Sequence, residues 1–183
     1  MNRIHLTIAT LAYAASIVAA NYLTAHYGLV PAGFGLLVTA GTYAAGFALL
    51  ARDFVQRYAT AAWGSRAGIA YALACILAAG VLSWFLATPA LAVASTLAFL
   101  AAELVDLAVF SRVRVRAGFI SAALVSNVVS APVDTVAFLW IAGFPLTWQA
   151  VIGQFIAKVL WATLVPLALY VLATRATRRT ASA

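Results

Sequence analysis

Hydrophobic residues fall in long blocks along this chain, and the polar positions between them are few and clustered. Six windows, 4–25, 31–51, 67–87, 90–110, 117–142 and 148–173, each hold the ~20 residues that a helix needs to cross ~30 Å of hydrocarbon. The last two are long enough to tilt or kink. Nothing is left over for a water-soluble lobe, so the pattern predicts an all-α fold: one domain over 1–183, a compact bundle of six transmembrane helices. Gly and Pro punctuate the turns in "YGLVPAG", in "TP" at Thr88 and Pro89, and in "AGFPLT", and turns this short make neighbouring helices antiparallel. Only "RDFVQRYATAAWGSR" leaves room for more, as an extension of the second helix.

Composition strengthens this picture: the chain is 66% hydrophobic and 8% charged, against roughly half and a quarter in soluble domains. The net charge of +7 raises the question of nucleic acid, and the positions of the charges answer it. Arg3 precedes the first window, Arg52, Arg57 and Arg66 lie around the second-to-third connection, Arg112, Arg114 and Arg116 follow the fourth window, and Arg175, Arg178 and Arg179 follow the sixth. The other three turns hold no Lys or Arg. This alternation is the positive-inside pattern, which predicts cytoplasmic termini in a multi-pass protein of the cell membrane. It makes the basicity topological, with attraction to anionic lipid as a consequence and no nucleic-acid partner. The first window is too long for a cleaved signal core, and its removal would spoil the alternation, so it is expected to be retained. The halves show no convincing internal similarity, and no inverted repeat is expected.

Four ionisable side chains stand inside windows: Glu103, Asp106, Asp134 and Lys158. Each costs at least ~2.5–3.5 kcal/mol at the bilayer centre, so they are expected to face one another or water. Glu103 and Asp106 share one helix face, as do Gln154 and Lys158, and Asn127 and Asp134 recur at helical spacing around Pro132. A Glu103–Lys158 ion pair with an Asn127 hydrogen bond would be mere bundle glue. Interhelical polar bonds average only ~0.6 kcal/mol in measured cases, too little to offset several buried charges, and a substrate or ion pathway is the stronger reading. Tyr22, Tyr27, Trp63, Trp84, Trp140 and Trp148 lie near window ends and read as interfacial anchors.

The residue types narrow the chemistry. Carboxylates, amides and one lysine, without a Cys or His cluster, do not make a transition-metal site. Cys75 is the sole cysteine, so no internal disulfide forms, and His5 and His26 sit at window edges. There is no phosphate-binding Gly-Lys-Ser/Thr loop and no Ser, His and Asp set, so neither an enzyme nor a bound cofactor is expected. Carboxylates and amides beside aromatic rings suit a flat heterocycle whose ring N–H groups donate to Asp or Glu.

"ELVDLAVFSRVR", "SNVVSAPVDTVAF" and "GQFIAKVLWATLVPLALY" resemble the queuosine precursor transporters, also called the vitamin uptake transporter family. "VPAGFGLLVTAGTYAAGFALLARDFVQRYATAAWGSRAG" resembles a short form of the same family, and "AANYL" fits its amino-terminal Asn. The resemblance implies a membrane importer of 7-cyano-7-deazaguanine or 7-aminomethyl-7-deazaguanine. Its site would include Asn21, Glu103, Asp106, Asn127, Asp134, Gln154 and Lys158, with Arg52 and Asp53 as gate residues at the cytoplasmic end of the second window. Either Glu103 or Asp134 would hold the guanine-like edge. A substrate-binding subunit served by a separate ATPase, and a structural protein without transport, are the rival readings; homo-oligomerisation is left open.

Overall fold

The computed structural model describes residues 2–86 and 89–180. Helix α1 (Asn2–Tyr27) leads into a hairpin of strands β1 (Leu29–Gly33) and β2 (Leu36–Thr39), followed by α2 (Thr42–Trp63), α3 (Ser65–Leu86) and α4 (Pro89–Ile141). Helix α5 (Trp148–Ile156) passes through a π-helical stretch (Ala157–Leu164) into α6 (Val165–Thr180). The fold is all-α apart from the hairpin. Ala87 and Thr88, the predicted end of the third window and part of its outer turn, lie outside the described residues.

The hairpin corrects the second window. Residues 31–51 were expected to be one helix, yet helix begins only at Thr42 and runs on to Trp63. Gly28, Gly33 and Gly35 take positive φ of 58°, 84° and 73°, a conformation nearly closed to other residues. The apolar residues between them pair as antiparallel strands instead, Val30 opposite Val38 and Pro31 opposite Leu37. Val38 and Thr39 are buried where β2 packs on α5. At the other end, α2 takes up the "RDFVQRYATAAW" stretch as continuous helix.

The arginine-rich segment after Phe110 is helical as well, and α4 is broken only at Gly118 (φ 77°, ψ −177°). As a straight rod its 53 residues would reach ~80 Å, far beyond one membrane thickness. The chain instead folds back: Ser130 Oγ donates to Asp106 Oδ1 at 3.2 Å, and these two residues are equidistant in sequence from Gly118. The limb before Gly118 and the limb after it are therefore antiparallel neighbours.

Helix α2 occupies the middle, packed against α1, α3, α4 and the π-helical stretch. Ala48, Ala51, Val55 and Ala59 meet Tyr13 and Ile17 of α1 in one core cluster, while Leu50 joins Phe110, Ala122 and Leu167 in another. Among the described residues four stretches, Arg3–Tyr27, Ser65–Phe85, Pro89–Ile141 and Trp148–Arg175, are long and apolar enough to cross a membrane. Helix α2 is not among them, because Arg52, Asp53, Gln56 and Arg57 lower its hydropathy. The six aromatic residues expected at the interfaces are all exposed.

Small residues set the closest approach. A Cβ at Gly46 would stand 2.7 Å from Ala162 Cβ and 2.8 Å from Lys158 Cα. Gly46→Ala is therefore expected to lower stability by the ~1–3 kcal/mol typical of overpacking, read as thermal unfolding in detergent. Gly80→Ala, whose Cβ would meet only the flexible Leu100 side chain at 3.1 Å, is expected to cost less; equal losses would show that α2 does not press on the π-helical stretch.

Candidate functional site

The polar residues of the bundle form two separate groups. The first surrounds Arg52, in the middle of α2. Its Nε donates to Glu103 Oε2 at 3.1 Å, its Nη2 stands 3.0 Å from Asp53 Oδ1, and it also pairs with Asp106. All four side chains have 0% exposure. Nη1 donates to Gln56 Oε1 at 2.9 Å, and Gln56 Nε2 donates to Ser111 Oγ at 2.9 Å. Asn127 Nδ2 reaches Asp53 Oδ2 at 3.5 Å, and Phe110 lies 5.4 Å beneath the guanidinium. One helical turn on α2 sets Arg52 above Gln56, and the three-residue spacing of Glu103 and Asp106 aims both at the same fork. A planar guanidinium with five donors suits several carboxylates at once.

The second group lines a pocket among α1, α2, α3, α4, α5 and the π-helical stretch, with β2 at its edge. Lys158 Nζ donates to Asp134 Oδ2 at 2.6 Å and to Thr135 Oγ1 at 2.8 Å. An ammonium has three donors, so one remains for a guest. Lys158 is 2% exposed and Asp134 14%, so the carboxylate is the more accessible partner. Gln154 lines the same pocket, and its buried Nε2 makes no hydrogen bond. On the opposite wall Asn21 Nδ2 donates to Ser83 Oγ at 3.1 Å, and Ser95 Oγ donates to Asn21 Oδ1 at 2.9 Å. Phe99 and Phe138 supply apolar faces. The cavity has a volume of about 50 Å³. This is well below the ~300–1,000 Å³ of common small-molecule sites, whose combination of apolar walls with a few polar groups it shares.

The helix turns around Lys158 are wide. Pro166 has no N–H to continue an α-helix, and Val165 N–H bonds Leu160 O, five residues back. Thr163 Oγ1 likewise donates to Lys158 O at 2.9 Å. Wide turns of this kind are frequent at functional sites. Thr24 Oγ1 accepts from Gly41 N at 3.2 Å, which ties α1 to the start of α2 beside the pocket.

The expected site residues thus divide. Asn21, Asp134, Gln154 and Lys158 line the pocket; Arg52, Asp53, Glu103, Asp106 and Asn127 form the packed cluster and do not. The Glu103–Lys158 pair is overturned, since Glu103 pairs with Arg52 and Lys158 with Asp134. The position of Arg52 and Asp53 is corrected as well: with helix starting at Thr42, they sit deep within α2 rather than at its end. Ser83 and Ser95 escaped the sequence reading because isolated hydroxyls are ordinary in membrane helices, where they bond their own backbone. Pro166, eight residues after Lys158, was the available signal for the wide turns.

Among curated proteins and among solved structures, nothing matches this chain. Residues 7–172 match the sequence model of a family described as "Putative vitamin uptake transporter". That match covers most of a chain whose helices are suited to several membrane crossings and whose interior holds a polar pocket: the protein belongs to the vitamin uptake transporter family, a family of multi-pass membrane transporters.

Proposed function

We propose that this protein imports queuosine precursors, 7-cyano-7-deazaguanine or 7-aminomethyl-7-deazaguanine, across the cell membrane into the cytoplasm, and that the pocket beside Lys158 receives them. The observation that carries this reading is the polar set of that pocket: an accessible carboxylate, an ammonium with a spare donor, and the unpartnered Gln154 Nε2, in a pocket that Phe99 and Phe138 also line. The guanine edge of a deazaguanine presents adjacent N–H donors next to a carbonyl. Asp134 accepts from the donors, while Gln154 Nε2 or Lys158 Nζ donates to the carbonyl, and the flat ring lies against Phe99 or Phe138. A polar site built to pair with such an edge rejects analogues that lack it, because its own buried groups would be left unpaired.

Six crossings complete the proposal: α1, α2, α3, the two limbs of α4, and α5 through α6, with the arginine-rich ends in the cytoplasm. The charge alternation supports this orientation. In a chain with Cys75 replaced by serine, Leu146→Cys is expected to react with an impermeant thiol reagent added outside intact cells, whereas Val115→Cys is not. Labelling at 115 would invert the topology.

The direct test is uptake of labelled 7-cyano-7-deazaguanine by cells that can neither make it nor import it otherwise. The intact protein is expected to restore uptake, and Asp134→Asn to reduce it by the ~2–5 kcal/mol equivalent of a lost buried charged partner, tens- to thousands-fold. Full uptake by the Asp134→Asn protein would reject the pocket as the site.

A further inference from the structure

The cluster around Arg52 holds more negative than positive charge. Asp53, Glu103 and Asp106 all lean on one guanidinium, and none has any exposed surface. The surrounding elements supply little to balance them. From α2, Gln56 is neutral, and Arg57 turns away onto Phe119, 4.4 Å from its ring. The first limb of α4 adds Ser111 and, at the rim beyond Phe110, Arg114, 5.8 Å from that ring and near enough to attract Asp53. The second limb adds only Asn127 and Ser130. Cys75 of α3 neighbours Tyr13, and Lys158 is committed to Asp134 and Thr135. Two cations, one of them peripheral, face three buried carboxylates. An uncompensated charge in such a place is strongly unfavourable.

Glu103 is the acid with a free oxygen to resolve this. Asp53 Oδ1 and Asp106 Oδ2 make no hydrogen bond but stand against the Arg52 Nη2 cation, whereas Glu103 Oε1 stands against no cation. Facing Glu103 from α1 is the buried Tyr13 hydroxyl, near enough to interact with that carboxyl. A phenol donates to a carboxylate or accepts from a carboxylic acid, so it can serve either state of Glu103. A metal ion is a poorer fit, since among the described residues no three His, Cys, Asp or Glu side chains are arranged to hold one. The Tyr13 ring lies 6.1 Å from Phe99, and Phe99 lines the pocket. One aromatic pair therefore joins Glu103 to the place where a guest would sit.

We propose that the Arg52 cluster binds one proton, carried on Glu103, and that this proton enters the cell together with the substrate. The proton-binding half stands on the cluster alone; the coupling half rests on the transport reading above. The proton comes from the outer solution and leaves to the cytoplasm, so no bond other than Glu103 O–H is made or broken.

Infrared spectroscopy of the full-length protein in lipid at neutral pH tests the first half. The carbonyl band of a protonated carboxyl is expected in the wild type and in Asp134→Asn, and is expected to be lost in Glu103→Gln. Should Glu103→Gln fail to fold, Tyr13→Phe is expected to shift the band, since it removes the facing hydroxyl. Absence of the band, its persistence in Glu103→Gln or indifference to Tyr13→Phe, or its removal by sodium would overturn the site. Proteoliposomes with an acid exterior test the second half: labelled 7-cyano-7-deazaguanine is expected to accumulate about tenfold per pH unit for one proton per substrate, and Glu103→Gln only to equilibrate it. Wild-type uptake that equilibrates but never accumulates overturns the coupling. No uptake under any gradient rejects the substrate reading, and the infrared band alone then decides the proton site.

Discussion

Arg52→Gln is expected to be the most damaging single substitution to the stability of this protein. It leaves Asp53, Glu103 and Asp106 buried around a neutral amide, and breaking a buried pair by removing one partner typically costs ~3–5 kcal/mol. Here one guanidinium serves three acidic side chains, so the loss should fall at the top of that range. The expected readout is a large drop in melting temperature in detergent and little folded protein in the membrane. Arg52→Lys should lie between the two, because a point-like ammonium keeps the charge without the planar fork that reaches several acceptors. An Arg52→Gln protein that melts with the wild type would show that the cluster does not hold α2 to α4.

Lys158→Met is expected to have the largest effect on uptake with a much smaller effect on stability. The difference follows from exposure: the carboxylate it abandons, Asp134, reaches the pocket at 14% exposure and can be rehydrated there, which the carboxylates around Arg52 cannot. Binding should nonetheless weaken by the ~2–5 kcal/mol typical of a lost buried charge partner. Combining Lys158→Met with Asp134→Asn should recover the small stability loss and leave uptake abolished. Combining Lys158→Met with Glu103→Gln should instead give additive stability losses, because those side chains belong to different groups and share no partner. Strong non-additivity in that second pair, or uptake restored in the first, would contradict the division of the interior into pocket and cluster.

Several features were legible from residue type alone. The cost of placing Glu103, Asp106, Asp134 and Lys158 in apolar windows marked them as inward-facing, and they are indeed buried or turned to the pocket. Spacing of three or four residues correctly grouped Glu103 with Asp106 and Gln154 with Lys158, because helical periodicity is a local property. Partner choice was not legible. Periodicity says which residues share a face and nothing about which face meets which, so it leaves room for a Glu103–Lys158 pair where Arg52 in fact holds Glu103. That error grew from a boundary: reading 31–51 as a span put Arg52 at a helix end, whereas the hairpin displaces helix to Thr42 and moves Arg52 inward. Residues 29–39 are apolar enough to pass for membrane helix, and the positive φ of Gly28, Gly33, Phe34 and Gly35 together with the strand pairing shows that the chain turns there.

A helical membrane protein and its costly interior charges follow from residue type and run length, because these set the transfer free energy. Helix packing is what separates these charges into a buried cluster and a pocket, lets Ser83 and Ser95 complete a wall with Asn21, and folds α4 back at Gly118 to bring Ser130 to Asp106. The physical reason is distance along the chain: Arg52 and Glu103, or Asn21 and Ser95, meet only when helices far apart in sequence pack side by side, and that packing is set by the sum of many small contacts rather than by any local pattern.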